Sequence, residues 1–246
     1  MDSKKIKKLF AKQDIIILPP QDVMETLELI DFQVTTTMLD PWYNRGVGGI
    51  QEDYFPWIKE LLDKTGSISN NIFLWGFPDI ICRALGNLPE NFELVAWLTW
   101  YYKNCPSIIR GWRSAQYTCL HIGRNKVKLY PEHFMNQVQL DKYQNGKLRF
   151  IPGPPTVIEE PLLIGFCGKK EQIGNPSQTA QKPVKVFEPL IKMTTKKDDI
   201  VFDPMCGTGT TGDVCRQLKR KAILCDMDEI KIKMVEERLK IKRLKI

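Results

Sequence analysis

The sequence predicts an α/β protein built on a mostly parallel sheet. Two observations carry this prediction. Strand and helix patterns alternate through roughly the first 100 residues, and a strand–turn–helix–strand unit occupies residues 200–225. Such alternation is typical of βα units, which pack helices against parallel strands. The chain has 246 residues, 43% of them hydrophobic, which suits one globular domain with a small insertion.

The first part of the chain alternates short apolar runs with amphipathic segments. Runs of β-branched and aromatic residues predict strands, and apolar residues on one helical face predict helices. The expected strands are Asp14–Leu18, Phe32–Leu39, Asn71–Trp75, Phe92–Trp100 and Ala115–Ile122. The expected helices are Gln21–Leu29, Tyr54–Lys64 and Pro78–Leu85. The last two strands are close enough in the chain to pair as an antiparallel edge.

The segment 124–178 loses this alternation and separates the parts 1–123 and 179–246. It is rich in proline and glycine, and its basic residues are interleaved with aromatic ones. That mixture suits nucleic acid, which offers both phosphates and base faces. An irregular insertion with solvated charges explains the same pattern, so both interpretations stay open. The candidate contact residues, including two before the segment, are Arg110, Arg113, Arg124, Lys126, Lys128, Lys147 and Arg149.

The net charge and the cysteine content limit the kinds of partner and metal site that we expect for this protein. The formal net charge is +7, which is compatible with a polyanionic partner. Seven cysteines include no CxxC pair, and two histidines leave little to build a zinc site, so we expect no metal. There is no signal peptide and no apolar run of about 18 residues, so we expect an intracellular, cytoplasmic protein without a membrane segment.

The last part of the chain carries a glycine-rich turn between a strand and a helix. The expected elements are a helix at Lys182–Thr194, a strand at Ile200–Phe202, a helix from Thr210, a strand at Lys221–Cys225 and a helix at Asp228–Leu244. Such a turn lets a ligand approach bare backbone at a helix N-terminus. Asp226, at the tip of the second strand, is placed to bind a ribose diol. The turn is neither GxGxxG nor a P-loop, so an ordinary turn, with Asp226 as a helix cap, stays open.

An acidic residue, a proline and two aromatic residues follow the second expected strand, at Asp40-Pro41-Trp42-Tyr43. Ligands of open parallel sheets bind at this edge, beyond the carboxyl ends of the strands. The glycines that follow, Gly46, Gly48 and Gly49, predict a flexible loop that closes over a substrate. Packing of the two aromatic side chains is the alternative to a ligand contact.

These two motifs resemble those of a known family. Residues Phe202–Thr211, FDPMCGTGTT, are similar to the DP-F-x-G-S-G-T-T cofactor motif of S-adenosylmethionine-dependent DNA amino-methyltransferases, and Asp40–Tyr43 is similar to their D-P-P-Y catalytic motif. The order is that of the circularly permuted β group: catalytic motif, basic segment, then Gln181-Lys182-Pro183 entering a helix, then cofactor motif. The resemblance covers nearly the whole chain.

The resemblance implies a Rossmann-like methyltransferase fold. Its sheet would have seven strands, mostly parallel with one antiparallel edge strand, circularly permuted and carrying a small irregular insertion for target recognition at 124–178. The sequence departs from the motifs at three positions. Trp42 replaces a proline and loses its rigidity but keeps the backbone carbonyl that the family uses as an acceptor. Met205 replaces a phenylalanine, and Thr208 replaces a serine.

The resemblance also implies a reaction and its residues. The Asp40 carboxylate and the Pro41 carbonyl would accept hydrogen bonds from an exocyclic amine, and Tyr43, with help from Trp42, would stack on a flipped base. The cofactor S-adenosyl-L-methionine would lie against Asp203, Met205, Cys206, Gly207, Gly209, Thr210, Thr211 and Asp226, with Lys182 and Pro183 at the flank.

Aspartate at the head of the catalytic motif favours adenine N6, and serine there is more usual for cytosine N4. The expected substrate is double-stranded DNA, and a homodimer and a restriction endonuclease partner stay open. The alternatives are a cytosine-N4 enzyme, an RNA amino-methyltransferase and a DNA- or cofactor-binding protein that has lost catalysis, which the Trp42 substitution keeps open.

Overall fold

The computed structural model describes residues 3–44, 49–105, 108–109, 111–174 and 180–245. Its helices are α1 (Ser3–Leu9), α2 (Val23–Glu28), α3 (Tyr54–Ile68), α4 (Pro78–Ala84), α5 (Gln137–Gln144), α6 (Val184–Thr194), α7 (Thr210–Leu218) and α8 (Glu229–Leu239). Its strands are β1 (Ile15–Ile17), β2 (Val34–Leu39), β3 (Ser69–Gly76), β4 (Phe92–Tyr101), β5 (Ile108–Ile109), β6 (Trp112–Arg113), β7 (Gln116–Arg124), β8 (Val157–Glu159), β9 (Ile200–Asp203) and β10 (Lys221–Leu224).

Eight of these strands form one sheet in the order β1-β10-β9-β2-β3-β7-β4-β8, and β5 and β6 form a separate small hairpin. Only β7 runs antiparallel to its neighbours, β3 and β4. The predicted α/β fold with a mostly parallel sheet is confirmed. The sheet differs in two details from the expected one, which had seven strands with the antiparallel strand at its edge. β8, from the irregular segment, adds an eighth strand beside β4, and the reversed strand lies between β3 and β4.

Helices cover both faces of the sheet. Helices α1 to α4 pack on one face, where Ile58, Leu61 and Leu62 of α3 join a buried cluster. Helices α6 to α8 pack on the other face, where Val186 and Val214 join a second cluster. Because β2, β3 and β9 are covered on both sides, nearly all of their residues are buried, including the threonines of β2, and burial does not alternate along these strands.

Strand pairing brings the two sequence motifs together. β2 pairs in parallel with β9, with Thr36 opposite Val201 and Thr37 opposite Phe202. β9 in turn pairs in parallel with β10. Asp40, Asp203 and Asp226 therefore lie along one edge of the sheet. We call this edge the carboxyl edge, and the edge where β2, β3 and β9 begin the amino edge.

The last helix is shorter than predicted. α8 ends at Leu239, because Lys240 adopts a left-handed conformation with φ 52° and its N–H donates to the carbonyl of Glu236. The chain then runs beside β1, where the N–H of Leu244 donates to the carbonyl of Ile17 at 2.8 Å. Among the described residues, no helix combines the length and the apolar character that crossing a bilayer requires.

Candidate active site

Asp40 directly follows β2, and two side chains hold its carboxylate. The ammonium of Lys182 donates to Oδ2, and the hydroxyl of Tyr117 donates to Oδ1 at 3.0 Å. The side chain of Lys182 is 6% exposed and that of Asp40 22%. A charge pair this deeply buried is retained only where its geometry compensates the loss of hydration. The carboxylate is therefore fixed in position at the carboxyl edge.

Lys182 was predicted only as the flank of a cofactor pocket, and the structure gives its side chain a further set of contacts. Its ammonium also donates to the Tyr43 hydroxyl at 3.2 Å and lies 4.8 Å from the centre of the Tyr117 ring. Burial lowers the pKa of Lys182, but the facing Asp40 and Tyr43 outweigh it, and the net pKa is raised. Lys182 therefore stays charged and joins the catalytic motif to α6.

Trp42 packs away from the site. Its indole meets the Tyr54 ring edge-on at 5.8 Å and joins the core cluster under α3. Its carbonyl accepts the Tyr54 hydroxyl at 2.6 Å. Two expectations are corrected. The carbonyl of Trp42 is engaged inside the protein, and its indole is positioned for packing rather than for stacking on a base. These contacts fix the loop where the family's proline would have done so.

Tyr43 lines a cavity of about 130 Å³ together with other aromatic side chains. Its ring meets those of Phe77 and Tyr117 edge-on, at 5.2 and 5.4 Å between centroids. Trp42 is not among the described residues that line this cavity. The lining residues are Tyr43, Phe77, Trp100, Tyr102, Tyr117, Leu162, Leu163, Ile164, Ala180, Gln181 and Lys182. The cavity therefore offers flat apolar walls beside the Asp40 carboxylate.

Most of these aromatic side chains were not identified as site residues in the sequence analysis. Trp100 lies near the end of β4, Tyr102 follows it, and Tyr117 lies near the start of the reversed strand β7. Antiparallel pairing of β4 with β7 brings them to the carboxyl edge, with Trp100 opposite Tyr117. Trp100 ends the predicted strand, and Tyr102 lies two residues farther on. This spacing was the available signal, because residues two apart in extended chain share one face.

The turn after β9 is organised around the buried Asp203 carboxylate. The Thr211 hydroxyl donates to its Oδ2, and the N–H of Met205 donates to its Oδ1 at 3.2 Å. Burial raises the pKa of Asp203 to about 7, against the opposing effect of these two hydrogen bonds. The charge of Asp40 also contributes to the raised pKa, so the two motifs lie within electrostatic reach.

Gly207 and Gly209 give the turn its shape. Both have positive φ, 51° and 80°, and Gly209 is the N-cap of α7. A Cβ at Gly207 would meet nothing within 4 Å, whereas one at Gly209 would come within 3.1 Å of Val235. The Gly207 backbone therefore faces open space, and Gly209 packs tightly on α8. An open backbone position in a helix-initiating turn fits a bound cofactor.

Asp226 links this turn to the next loop. Its carboxylate accepts the N–H of Gly207 at 2.8 Å and the N–H of Asp228 at 3.0 Å. Burial raises the pKa of Asp226. The helix cap is Asp228, whose side chain accepts the N–H of Ile230 at 2.7 Å. The alternative role of Asp226 as the cap of α8 is therefore wrong, and its carboxylate lies against the glycine turn.

The remaining predicted residues of the turn are structural neighbours of these groups. Thr210 donates its hydroxyl to the carbonyl of Lys182 at 2.8 Å, which ties α7 to the segment before α6. Pro183 is the N-cap residue of α6. Cys206 is buried, and burial raises the pKa of its thiol well above the ordinary value, which keeps the thiol protonated and poorly nucleophilic.

The predicted nucleic-acid contacts do not all lie at this edge. Arg124, at the end of β7, donates to the carbonyls of Gly66 and Ser69 at 2.7 and 3.3 Å and stacks on Phe92. Because β7 is reversed, Arg124 lies at the amino edge. Its prediction as a DNA contact is corrected, since its guanidinium is used inside the protein.

The other candidates differ in place. Lys126 and Lys128 are exposed just beyond Arg124, at the amino edge. Lys147 and Arg149 follow α5 and are exposed. The irregular segment that carries them is anchored on α6, because the N–H of Tyr130 donates to the carbonyl of Met193. Arg113 is exposed on the β5–β6 hairpin. Arg110, Gly46 and Gly48 lie outside the described residues.

Comparison with known proteins identifies the fold and the family. Among curated relatives, Type II methyltransferase M.HpaI of Haemophilus parainfluenzae is 29% identical over 148 residues, 58% of this chain and 44% of that protein. The chain spans about half the length of the first curated relatives it matches.

Two solved structures share the fold. The M1.HpyAVI–SAM complex has a TM-score of 0.69 at 19% identity, over 92% of this chain and 100% of that one. PvuII DNA methyltransferase (cytosine-N4-specific) has a TM-score of 0.66 at 15% identity, over 95% of this chain and 89% of that one. At these identities the likeness shows the fold alone. The family model described as DNA methylase, for N6 and N4 methyltransferases, matches residues 36–237. With the fold, the two motifs and this match in agreement, the chain belongs to the N6/N4 DNA methylase family.

Proposed function

We propose that the protein is an S-adenosylmethionine-dependent DNA methyltransferase that modifies the exocyclic amine of a base flipped out of double-stranded DNA inside the cell, with adenine N6 as the favoured target. One observation carries the proposal: Asp40, the glycine turn and the aromatic cavity meet at the carboxyl edge. Membership of the DNA methylase family and the relatives named Type II methyltransferase support it.

The turn after β9 fits the cofactor. Gly207 faces open space, and the carboxylates of Asp203 and Asp226 lie on either side of the turn. We assign Met205, Gly207 and Thr210 to the wall of this cofactor site, with Thr211 and Gly209 shaping it. When bound, S-adenosylmethionine supplies the methyl group from a positively charged sulfur.

The aromatic cavity fits a flipped base. Tyr43 offers its ring as a stacking partner, and Phe77 and Tyr117 hold that ring edge-on. Stacking on aromatic side chains inside a closed pocket is how flipped bases are held by enzymes that modify them. The extrusion of the base from the duplex would be favoured by such contacts.

Asp40 activates the amine. The lone pair of an exocyclic amine is delocalised into the ring, and acceptors aimed at both N–H bonds help the nitrogen to release it. We assign these acceptors to the Asp40 carboxylate and the Pro41 carbonyl. Lys182 and Tyr117 hold the carboxylate in place, so it is oriented before the base arrives, as electrostatic preorganisation requires.

The choice of base rests on one residue. Aspartate at position 40 favours adenine, whereas the likeness to a cytosine-N4-specific structure keeps cytosine as the second candidate. The contacts of Trp42 with Tyr54 hold this loop in the absence of the family's proline, which supports an enzyme over a binding protein that has lost catalysis.

The chain order supports two further parts of the proposal. The strand before the glycine turn, β9, is third in the sheet but ninth among the ten strands of the described chain, which is the order expected of a circularly permuted fold. We place the two halves of the methyltransferase domain at 1–123 and 179–246, with target recognition in 124–178. Within that segment, Leu162, Leu163 and Ile164 line the cavity at the carboxyl edge.

The test is methyl transfer from labelled S-adenosylmethionine to unmethylated duplex DNA, with RNA in parallel, followed by digestion to nucleosides. Label on N6-methyldeoxyadenosine is the expected result. Label on N4-methyldeoxycytidine would preserve the enzyme and reverse the base. Label on RNA alone, or on neither polymer, would overturn the proposal.

A further inference from the structure

The wall of the aromatic cavity continues into an exposed phenylalanine. Leu162, Leu163 and Ile164 line the cavity, and Leu163 is buried. Phe166, two residues farther on, is 93% exposed. Two residues span at most about 7 Å of chain, so the Phe166 backbone lies close to the cavity wall. Among the described residues, Phe166 is the most exposed large apolar side chain.

The turn that carries Phe166 is held by several contacts. The N–H of Cys167 donates to the carbonyl of Ile164 at 3.0 Å. The side-chain amide of Gln172 donates to the carbonyls of Gly165 and Cys167, at 3.1 and 2.7 Å. Gly168 has φ 62°, and a Cβ there would collide with Leu163. The exposure of Phe166 therefore follows from a braced turn packed on the cavity wall.

The charge beside the turn is positive. Lys169 and Lys170 follow it and are exposed. The neighbouring acidic residue, Glu171, is turned inward, where its carboxylate accepts the N–H of Val184 at 2.7 Å. An exposed aromatic side chain followed by two exposed lysines matches duplex DNA, which offers a stack of bases between two rows of phosphates.

We propose that Phe166 enters the duplex next to the target base and fills the space that the base leaves when it moves into the cavity, while Lys169 and Lys170 contact the adjacent phosphates. This inference rests on the proposed function. Phenylalanine is one of the side chains that proteins insert between base steps. The turn provides the rigidity that such an insertion requires.

The test compares Phe166→Ala with Leu94→Ala. Leu94 is also an exposed apolar residue, and it lies on β4 near the amino edge, outside the insertion and away from the cavity, so its replacement is the control. Sequencing of DNA methylated by the wild-type protein gives the target site. Two duplexes are then made, one fully paired and one with a mismatch opposite the target base, which lowers the cost of unpairing.

Phe166→Ala is expected to lower kcat/KM on the paired duplex about tenfold, the order of one lost stacking contact, and to recover most of this loss on the mismatched duplex. Leu94→Ala is expected to match the wild type on both duplexes. Equal activity of Phe166→Ala and wild type on the paired duplex, or an equal loss on both duplexes, would overturn the role of Phe166. Absence of DNA methylation by the wild-type protein would instead overturn the proposed function.

Discussion

Replacing Asp40 by alanine should both abolish methyl transfer and destabilise the fold, for separate reasons. The first loss follows from removing an acceptor for the amine. The second follows from Lys182, which is 6% exposed and would keep a buried charge without its partner. Two unit charges about 4 Å apart interact by about 4 kcal/mol at an effective dielectric constant of about 20.

Part of the Lys182 environment survives the change. Its ammonium still donates a hydrogen bond to the Tyr43 hydroxyl at 3.2 Å and still lies 4.8 Å from the centre of the Tyr117 ring. Such a contact between a cation and an aromatic ring contributes roughly 0.5–2 kcal/mol. We therefore expect a loss of about 3 kcal/mol, the lower end of the range for breaking a buried pair. For a chain of this length that is about 6–12 °C in Tm.

A second substitution separates the two effects. In Asp40→Ala/Lys182→Met the unpaired charge of Lys182 is also removed, so stability should return to within about 1 kcal/mol of wild type while methyl transfer stays absent. The single variant should also gain stability as pH rises toward 10. Burial without a partner lowers the pKa of Lys182, so its folded state releases the proton before the unfolded state does.

The assay is urea unfolding followed by far-UV circular dichroism, with methyl transfer measured on the same preparations. Asp63→Ala is the control, because it breaks the exposed Lys59–Asp63 pair and should change stability little. The reasoning is refuted if Asp40→Ala unfolds at the wild-type midpoint, or if the double variant is no more stable than the single one. Turnover in Asp40→Ala would refute the catalytic assignment.

Three further outcomes are expected. The affinity for S-adenosylmethionine, measured by calorimetry, should rise from pH 6 to pH 8. The pKa of Asp203 is raised to about 7, and a cationic ligand binds better when this carboxylate is ionised. Asp203→Asn should remove this pH dependence. Gly207→Ala and Gly146→Ala should each cost about 1–2 kcal/mol, since both glycines have positive φ and open space, but only Gly207→Ala should weaken cofactor binding. Arg124→Ala should destabilise the fold by about 1–3 kcal/mol. It should leave the salt dependence of DNA binding unchanged, and a slope reduced by about 1 would show a phosphate contact instead.

The parts of the site that could be predicted from the sequence are those fixed by local chain geometry. Asp40 follows a strand, Gly207 and Gly209 lie in a strand-to-helix turn, and Asp226 ends the next strand. In a parallel sheet, residues just past adjacent strands share an edge, so local patterns were enough to bring these positions together.

The parts that were missed depend on contacts between distant segments. Lys182 and Asp40 form a pair although they are 142 positions apart in the chain, and the sequence around either residue does not predict this contact. Arg124 was assigned to DNA from its charge alone. The register of β4 and β7 places it opposite Phe92, however, and this turns its guanidinium toward the protein. Composition identifies a basic segment, but only strand direction decides which edge it reaches.

The charges at the carboxyl edge divide it into two environments. Asp203 and Asp226 have raised pKa values because burial disfavours their charged forms, so a positively charged methyl donor would stabilise their ionised forms. On the other side, the charge of Lys182 is balanced by Asp40, and the cavity beyond it is walled by aromatic rings, which suits an uncharged base. Lys182 stands at the boundary, because its ammonium faces Asp40 while its carbonyl accepts the hydroxyl of Thr210. Lys182 can therefore lie beside the proposed site of a cationic methyl donor without opposing it, because its charge is neutralised by contact with Asp40, the residue that we propose activates the amine.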